Sequence, residues 1–186
     1  AVEHDTMDTT FRSMYLGLSA FLDANTERRE LLLGQRPPRF DSSFDEAIAQ
    51  AGDDFERVAL KAQAARDYFL LVGPPGTGKT SRALRRMVEH FYATSSMQIL
   101  LLAYTNRAVD EICQSLSSIT PGIDYIRVGS ELSCDVRFRG HLLENILAEC
   151  NSRREVNTRM TDCRVYVGTV ASIAAKAELF KLKRFD

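Results

Sequence analysis

The feature that most constrains this chain is an octet at residues 73–80, which reads GPPGTGKT. A continuous apolar run at 68–72 precedes it and is predicted as a strand buried on both faces, while a helix is predicted over about 80–92. Glycines at 76 and 78 let the backbone curl so that successive amides point inward and bind phosphate oxygens. The pattern therefore predicts a phosphate-binding loop at the carboxyl end of a buried strand.

The residue types in this loop are those that bind a nucleoside triphosphate with magnesium. Lys79 is expected to reach the β- and γ-phosphates and the Thr80 hydroxyl to ligate Mg²⁺, so these two are the candidate catalytic residues. The glycine order G-x-x-G-x-G differs from that of dinucleotide-binding folds, and the alternative is a glycine-rich turn without a ligand. The predicted nucleotide-binding residues are Gly73, Pro74, Pro75, Gly76, Thr77, Gly78, Lys79, Thr80 and Ser81.

Strand and helix patterns alternate from residue 67 onward. Further apolar runs of strand length are found at 99–103, 125–128 and 165–167. Helical patterns lie between them, at about 108–117 and 141–160. This alternation predicts an α/β fold with a parallel sheet, in which residues 130–162 form a helical insertion.

Residues 1–66 differ, because they contain helical patterns and no visible chemistry. Apolar residues recur at helical spacing over 11–33. Ser43 and Glu46 have the spacing of a capping box that begins a helix. We predict an all-helical segment at 1–66, followed by a truncated P-loop domain at 67–186.

Composition argues against several other classes of protein. The 186 residues are 45% apolar and 26% charged, with a formal net charge of -1, as is usual for a globular domain. No apolar run approaches the roughly 18 residues of a membrane-spanning helix, and the first residues lack a signal-peptide pattern. The four cysteines form no C-x-x-C pair and the three histidines have no metal-binding spacing. We therefore predict reduced thiols, no protein metal cage, no membrane partner and a cytoplasmic location.

A second segment with candidate ligand-binding residues follows the strand predicted at 99–103. Thr105 and Asn106 lie at the carboxyl end of this strand and lead into a helix. Ligands of an open α/β sheet bind at this edge. Small polar side chains and helix N-terminal amides there can hold nucleic-acid phosphates without reading bases. The alternative is an N-cap with no other role.

In their order along the chain, these motifs resemble the front part of superfamily 1 helicases. The matching segments are GPPGTGKT, AYTNRAVDEI at 103–112, RVG at 127–129 and VGTVAS at 167–172. The similarity is greatest for the 5′-to-3′ group that includes the nonsense-mediated-decay helicases and the nuclease-helicases of DNA replication. It covers roughly residues 67–186.

The resemblance implies the RecA-like domain of an ATP-dependent helicase, which couples ATP hydrolysis to translocation on a single strand. It also implies ATP and Mg²⁺ as cofactors, bound by residues 76–80. A glutamine upstream of the loop contacts adenine in this family, and Gln63 is the candidate here, although it lies closer to Gly73 than the usual spacing. The residues implied to contact the backbone of single-stranded DNA or RNA are Thr105, Asn106, Thr169 and Ser172.

One element that the resemblance implies is missing. A P-loop ATPase needs an acidic pair at the end of a later strand, to bind Mg²⁺ and to activate water. Asp110 and Glu111 have an apolar context but lie inside a predicted helix. We therefore interpret the chain as part of a helicase that stops before this strand and before the second RecA-like domain, and expect it to be inactive by itself. The alternatives are another P-loop enzyme, such as a small-molecule kinase, and a non-catalytic nucleotide-binding module.

Overall fold

The structure is a computed structural model that describes residues 9–186, so the first eight residues of the predicted helical segment lie outside it. Four helices precede the phosphate-binding loop: α1 (Thr9–Asp23), α2 (Thr26–Leu32), α3 (Asp45–Gln50) and α4 (Asp54–Ala64). Helix α4 begins at a capping box, because the Asp53 carboxylate accepts from Glu56 N and the Glu56 carboxylate accepts from Gly52 N, each at 2.8 Å. The segment is helical, as predicted.

The capping box predicted at Ser43 and Glu46 is wrong. Ser42–Phe44 instead form a short 3₁₀ turn that follows Asp41. The Asp41 carboxylate accepts a hydrogen bond from Ser43 N at 3.0 Å. A carboxylate is a stronger acceptor for such amides than a serine hydroxyl, so the helical structure begins earlier than the serine predicts.

A three-stranded parallel sheet forms the centre of the remaining chain. Its strands are β1 (Ile99–Ala103), β2 (Tyr125–Val128) and β3 (Val165–Thr169), in the order β1-β3-β2. Val165 lies opposite both Ile99 and Tyr125, so β3 is the central strand, and all five of its residues are buried. The predicted α/β fold with a parallel sheet is confirmed, and the strand predicted at 165–167 extends two residues further, to Thr169.

Helices cover both faces of this sheet. They are α5 (Arg85–Thr94) and α6 (Asn106–Ser117) on one face, and α7 (Leu143–Ala148), α9 (Val170–Ala174) and α10 (Leu179–Leu182) on the other. Val167 of β3 packs in the same core as Val109 of α6, whereas Tyr166 packs with Ile173 of α9. Successive residues of β3 therefore face opposite layers, as the pleat requires.

The single helix predicted over 141–160 is two helices in the structure, α7 and α8 (Arg153–Asp162). Ser152 Oγ accepts from Glu155 N at 3.1 Å, and the Glu155 carboxylate accepts from Asn151 N at 2.9 Å. This reciprocal pair is a capping box, so the chain begins a new helix there instead of continuing the first. No helix among the described residues is long and apolar enough to cross a membrane.

The run at 68–72, predicted as a strand buried on both faces, is not a strand. Leu70 is 74% exposed and Val72 is 91% exposed. A strand needs a neighbour for its backbone amides and carbonyls, and none of the described strands pairs with this run. An open groove of about 410 Å³ lies where Tyr68 approaches β1. Apolar composition alone therefore predicts a strand at 68–72 that does not form, because the run has no pairing partner among the described strands.

The helix that follows the phosphate-binding loop is anchored at its far end by Arg164, directly before β3. The Arg164 guanidinium donates to the carbonyl oxygens of Tyr92 at 3.0 Å, Ser95 at 2.6 Å and Met97 at 3.2 Å. These acceptors are at and just beyond the end of α5, where helix carbonyls lack partners. The contact fixes α5 relative to the central strand.

Candidate nucleotide pocket and nucleic-acid edge

The loop at residues 73–80 has the backbone shape that a phosphate cradle needs. Gly76 and Gly78 have φ angles of 81° and 80°, in the left-handed region that glycine adopts without strain. A Cβ on Gly78 would also lie 3.2 Å from the Arg82 side chain. The loop leads into a π-helical turn, Lys79–Leu84, in which Ala83 N donates to Gly78 O at 3.0 Å. The glycines of the motif are therefore explained by the loop geometry.

Lys79 folds back over this loop. Its ammonium group donates to the carbonyl oxygen of Pro74 at 2.7 Å and to that of Gly73, and Thr77 Oγ1 donates to Pro74 O at 2.8 Å. These bonds hold the lysine head at the mouth of the loop. Carbonyl oxygens are weaker partners for an ammonium than phosphate oxygens are, so a phosphate ligand would replace them.

A cavity of about 660 Å³ opens between the loop and α6. One wall brings together five of the predicted nucleotide-binding residues: Gly76, Gly78, Lys79, Thr80 and Ser81. The opposite wall consists of Arg107, Asp110, Glu111, Gln114, Ser115, Asp135 and Arg137. The volume is in the range of small-molecule sites. Gly73, Pro74, Pro75 and Thr77 lie on the loop but do not line the cavity.

The carboxylates of the opposite wall are each paired with an arginine. Asp135 pairs with Arg137 at 2.9 Å, and Glu111 with Arg107 at 3.8 Å. Hydrogen bonds from Arg137 lower the pKa of Asp135 to about 2. Their negative charge is thus compensated by arginines, which makes the pocket compatible with a polyphosphate.

The residues present fit a nucleoside triphosphate with Mg²⁺. No cluster of three metal-ligating side chains occurs among residues 9–186. Thr80 lines the cavity beside Lys79, so its hydroxyl is placed to contribute one ligand to a cation that phosphate oxygens also bind. This single hydroxyl fits a cation whose other ligands come from the phosphates of a nucleotide.

The predicted adenine contact, Gln63, is not brought into this cavity. Gln63 lies on α4, and its Oε1 accepts from His90 Nε2 on α5 at 2.5 Å. Burial lowers the pKa of His90 below its usual value, so the imidazole is neutral at pH 7. The contact links the helical segment to the helix that follows the loop.

The predicted nucleic-acid residues come together at the carboxyl edge of the sheet. Ala103, the last residue of β1, lies opposite Thr169, the last residue of β3, so the turns that follow both strands are neighbours. Thr105 Oγ1 accepts from Ala108 N at 3.2 Å and caps α6. Asn106 is the exposed first residue of that helix.

The second of these turns has the same local structure. Thr169 Oγ1 accepts from Ser172 N at 3.0 Å and caps α9, and the two hydroxyls are 2.6 Å apart. Thr169 is buried and Ser172 is half-buried. Two capped helix starts therefore lie side by side, each beginning with small polar groups.

The sequence interpretation missed Tyr104, which lies between β1 and Thr105. Its side chain is 93% exposed, directly at the carboxyl edge. An exposed aromatic ring beside small polar groups and helix N-terminal amides is an arrangement on which the bases of a single strand can stack. The signal that could have identified it is an aromatic residue immediately before the Thr-Asn pair.

A sequence model of the AAA domain family matches residues 50–184. The chain belongs to this family. The phosphate-binding loop, the sheet and the carboxyl edge all lie within the matched part. The predicted resemblance to superfamily 1 helicases of the DNA-replication nuclease-helicase group is confirmed by the curated relatives of this AAA domain protein.

Three of these relatives show the range of similarity. The DNA replication ATP-dependent helicase/nuclease JHS1 of Arabidopsis thaliana is 30% identical over 195 residues, which cover 98% of this chain and 14% of the relative. The human DNA replication ATP-dependent helicase/nuclease DNA2 is 33% identical over 113 residues, which cover 54% of this chain and 10% of the relative. The RNA helicase Mov10l1 of Mus musculus is 29% identical over 106 residues, which cover 56% of this chain and 8% of the relative. The AAA domain chain thus spans less than a fifth of the length of each of these three relatives.

Proposed function

We propose that this chain is the ATP-binding portion of an ATP-dependent helicase that couples ATP hydrolysis to translocation on single-stranded nucleic acid. The observation that carries the proposal is the pocket in which Lys79 and Thr80 face α6, the helix that Thr105 caps at the carboxyl edge of the sheet. The relatives named as DNA and RNA helicases support the same function.

In this proposal the loop binds the triphosphate through its own groups. Amides around Gly76 and Gly78 donate to phosphate oxygens, and Lys79 exchanges its carbonyl partners for the β- and γ-phosphates. The Thr80 hydroxyl would hold the Mg²⁺ that accompanies the nucleotide, which would supply neutralisation of the phosphate charge. Because Gln63 is bonded to His90, adenine recognition by Gln63 would require this hydrogen bond to open.

Water activation is not assigned to any carboxylate of this chain. Asp110 and Glu111 lie within α6 and are each paired with an arginine, so neither is arranged as a general base. Binding without turnover is therefore the expected behaviour of the chain by itself. Full turnover would need a water-activating carboxylate and an arginine finger that the described part of this chain does not supply. The arginine finger alone contributes about 10³–10⁵ in rate.

At the nucleic-acid edge, the proposed contacts are of two kinds. Thr105, Asn106 and Ser172 contact phosphates, and Tyr104 stacks on a base. Neither kind of contact selects a base sequence, as is expected for an enzyme that moves along a strand. The relatives include helicases named for DNA and for RNA, so the proposal leaves the type of strand open. The binding experiment below therefore compares a DNA oligomer with an RNA oligomer.

The nucleotide arm of the test measures the binding of Mg²⁺-ATP to the chain by calorimetry. Lys79→Ala should weaken binding by at least about tenfold, because it removes the charge that faces the phosphates. Lys61→Ala, on the exposed surface of α4, is the matched control and should bind as the parent does. Equal affinity of the Lys79 variant and the control would contradict the proposal.

The strand arm measures the anisotropy of labelled oligodeoxythymidylate and oligouridylate. Tyr104→Ala should weaken binding by about tenfold, since a base stacked on an aromatic ring contributes about 1–3 kcal/mol. Tyr15→Ala removes a tyrosine that is 74% exposed on α1 and should have no effect. Nucleotide binding with no binding of either oligomer would instead favour the kinase or the nucleotide-binding module.

A further inference from the structure

The largest fully buried side chain among the described residues is a charged one, Arg127 of β2. It is 1% exposed, although it lies in a strand whose other residues are apolar. Removing a guanidinium from water is costly unless its charge and its N–H donors find partners. A hydrophobic residue would fill the position at lower cost, so the arginine requires an explanation.

The partners of Arg127 lie on two different elements. Nη1 donates to the carboxylate of Asp110 on α6, and Nη2 donates to the carbonyl oxygen of Ser133 at 3.1 Å. The same Asp110 oxygen lies 3.4 Å from the backbone N of Asp135. One carboxylate therefore connects helix α6, strand β2 and the segment that follows β2.

Asp110 supplies the negative charge for this arginine. The neighbouring thiols of Cys113 and Cys134 are neutral, because burial raises the pKa of both, that of Cys113 to about 11. Burial is the largest single effect and disfavours the charged guanidinium, but the hydrogen bond to Asp110 and the surrounding negative electrostatics together raise the pKa of Arg127. The guanidinium is thus buried and charged, whereas the side chain of its partner Asp110 is 22% exposed at the cavity wall.

A second link is one turn further along α6. Arg137 donates to Gln114 Oε1 at 2.8 Å and to the Asp135 carboxylate at 2.9 Å. Asp110 and Gln114 are four residues apart, so both links lie on the same face of α6. This face is also the wall of the nucleotide pocket opposite Lys79.

We propose that the Asp110–Arg127 ion pair is the positioning element that sets the angle of α6 against the sheet, so that one end of the helix presents Thr105 and Asn106 while its side closes the nucleotide pocket. Asp110 and Arg127 are positioning residues and contact neither ligand themselves. The role rests on the proposed function, because it specifies how the two binding surfaces are held in register. A hydrogen-bonded ion pair is directional, whereas apolar contacts are not, so the pair can fix the orientation of α6 against β2.

The decisive variant replaces both charges together, as Asp110→Leu with Arg127→Met. Replacement of a buried pair by apolar groups of similar volume is often neutral for stability, so the melting temperature should stay within about 3 °C. Affinity for labelled oligodeoxythymidylate should nevertheless fall about tenfold, because the helix start is no longer held in place. Nucleotide affinity should also fall, because the side of the same helix closes the pocket opposite Lys79.

Amide hydrogen exchange gives a readout that does not depend on any ligand. Ala108 N and Val109 N donate to the side chain and carbonyl of Thr105, at 3.2 and 3.1 Å, in the first turn of α6. Both amides should exchange faster in the double variant. Unchanged exchange together with parental strand affinity would overturn the proposal.

Single variants extend the test in case the double variant does not fold. Asp110→Glu keeps the carboxylate and should retain more strand affinity than Asp110→Asn; equal losses would contradict a role for the charge. Glu131→Gln is the control, because it breaks an exposed ion pair with Arg139, at 2.7 Å, in the segment after β2 and leaves Arg127 untouched. It should bind the strand as the parent does. A parent chain that binds no strand would refute the proposed function, whereas the exchange measurement would still decide the positioning role.

Discussion

Residues 68–72 and strand β3 are both five-residue segments with an apolar run that lead into a candidate binding turn, yet only β3 is buried and paired. All five residues of β3 are buried, whereas in the first run Leu70 and Val72 are 74% and 91% exposed. Strand β3 pairs with β1 on one side and β2 on the other, and the run at 68–72 pairs with neither. Backbone pairing, and not hydrophobicity, separates the two.

The difference extends to the turns that follow. Thr169 is held at the end of a central strand, so the proposed nucleic-acid contacts at the carboxyl edge take their geometry from the sheet. The phosphate-binding loop takes its geometry from local contacts: the positive φ angles of Gly76 and Gly78 and the bonds of Lys79 to loop carbonyls. The two candidate sites are therefore organised by different forces.

The largest effect is expected from a charge placed in each run. Val167→Asp puts a carboxylate at a fully buried position of β3 and should destabilise the fold by about 4 kcal/mol or more. Leu70→Asp, at an exposed position, should change stability by no more than about 0.5 kcal/mol. Urea unfolding followed by circular dichroism measures both. A comparable loss for Leu70→Asp would show that the first run is buried and would end the comparison.

An intermediate effect is expected from a single methyl group in β3. A Cβ on Gly168 would lie 3.0 Å from Val128 O and 3.2 Å from the Ile173 side chain, so Gly168→Ala should cost about 1–3 kcal/mol. Gly129, just after β2, has open space around a Cβ and no positive φ. Gly129→Ala should be neutral or stabilising by up to about 1 kcal/mol.

The same unfolding measurement compares these two alanine variants. Equal destabilisation at both positions would show that crowding in the central strand is not what distinguishes Gly168 from Gly129. Only a loss confined to Gly168→Ala supports the tight packing of β3.

The smallest effect concerns the start of the first run, where Asp67 accepts hydrogen bonds from Arg36 and Arg39 at 2.9 Å. These bonds hold the pKa of Asp67 well below its usual range. A depressed folded-state pKa stabilises the fold above the unfolded pKa of about 4, and this contribution is lost as the pH falls below that value. Asp67→Asn should therefore lower the melting temperature at pH 7. Below about pH 4, the melting temperature of this variant should decline less steeply with falling pH than that of the parent.

The pH experiment is a difference between two melting curves, so other titrating groups shared by both proteins cancel. Parallel pH profiles of the parent and the Asn variant would show that the two arginine contacts add nothing to the folded state. Convergence of the melting temperatures of the two proteins at low pH supports a stabilising role for the two arginine contacts of Asp67.

Much of the architecture follows from the sequence because it depends on local pattern. The runs at 99–103 and 125–128 are strands as predicted, and the strand predicted at 165–167 is present in longer form. The phosphate-binding loop is also local, since its glycines and Lys79 lie within eight residues. The break between α7 and α8 was missed because a capping box at Ser152 outweighs the helical periodicity around it.

The candidate sites were less fully predictable, because their geometry joins distant parts of the chain. The side-by-side turns at Thr105 and Thr169 depend on the pairing of β1 with β3. The contact of Gln63 with His90 depends on how α4 packs on α5. Neither arrangement has a signal in nearby sequence.

By itself, the sequence determined the glycine-rich loop at 73–80, the alternation of strands and helices, and the family, since each depends on residue types at short and fixed spacings. Only the tertiary structure decided that residues 68–72 are unpaired, that α6 forms one wall of the nucleotide pocket, and that Asp110 is the partner of Arg127. Those outcomes depend on which segments meet in space. A buried charge or a free backbone group is stabilised only by what lies beside it, and the chain order does not specify that neighbour.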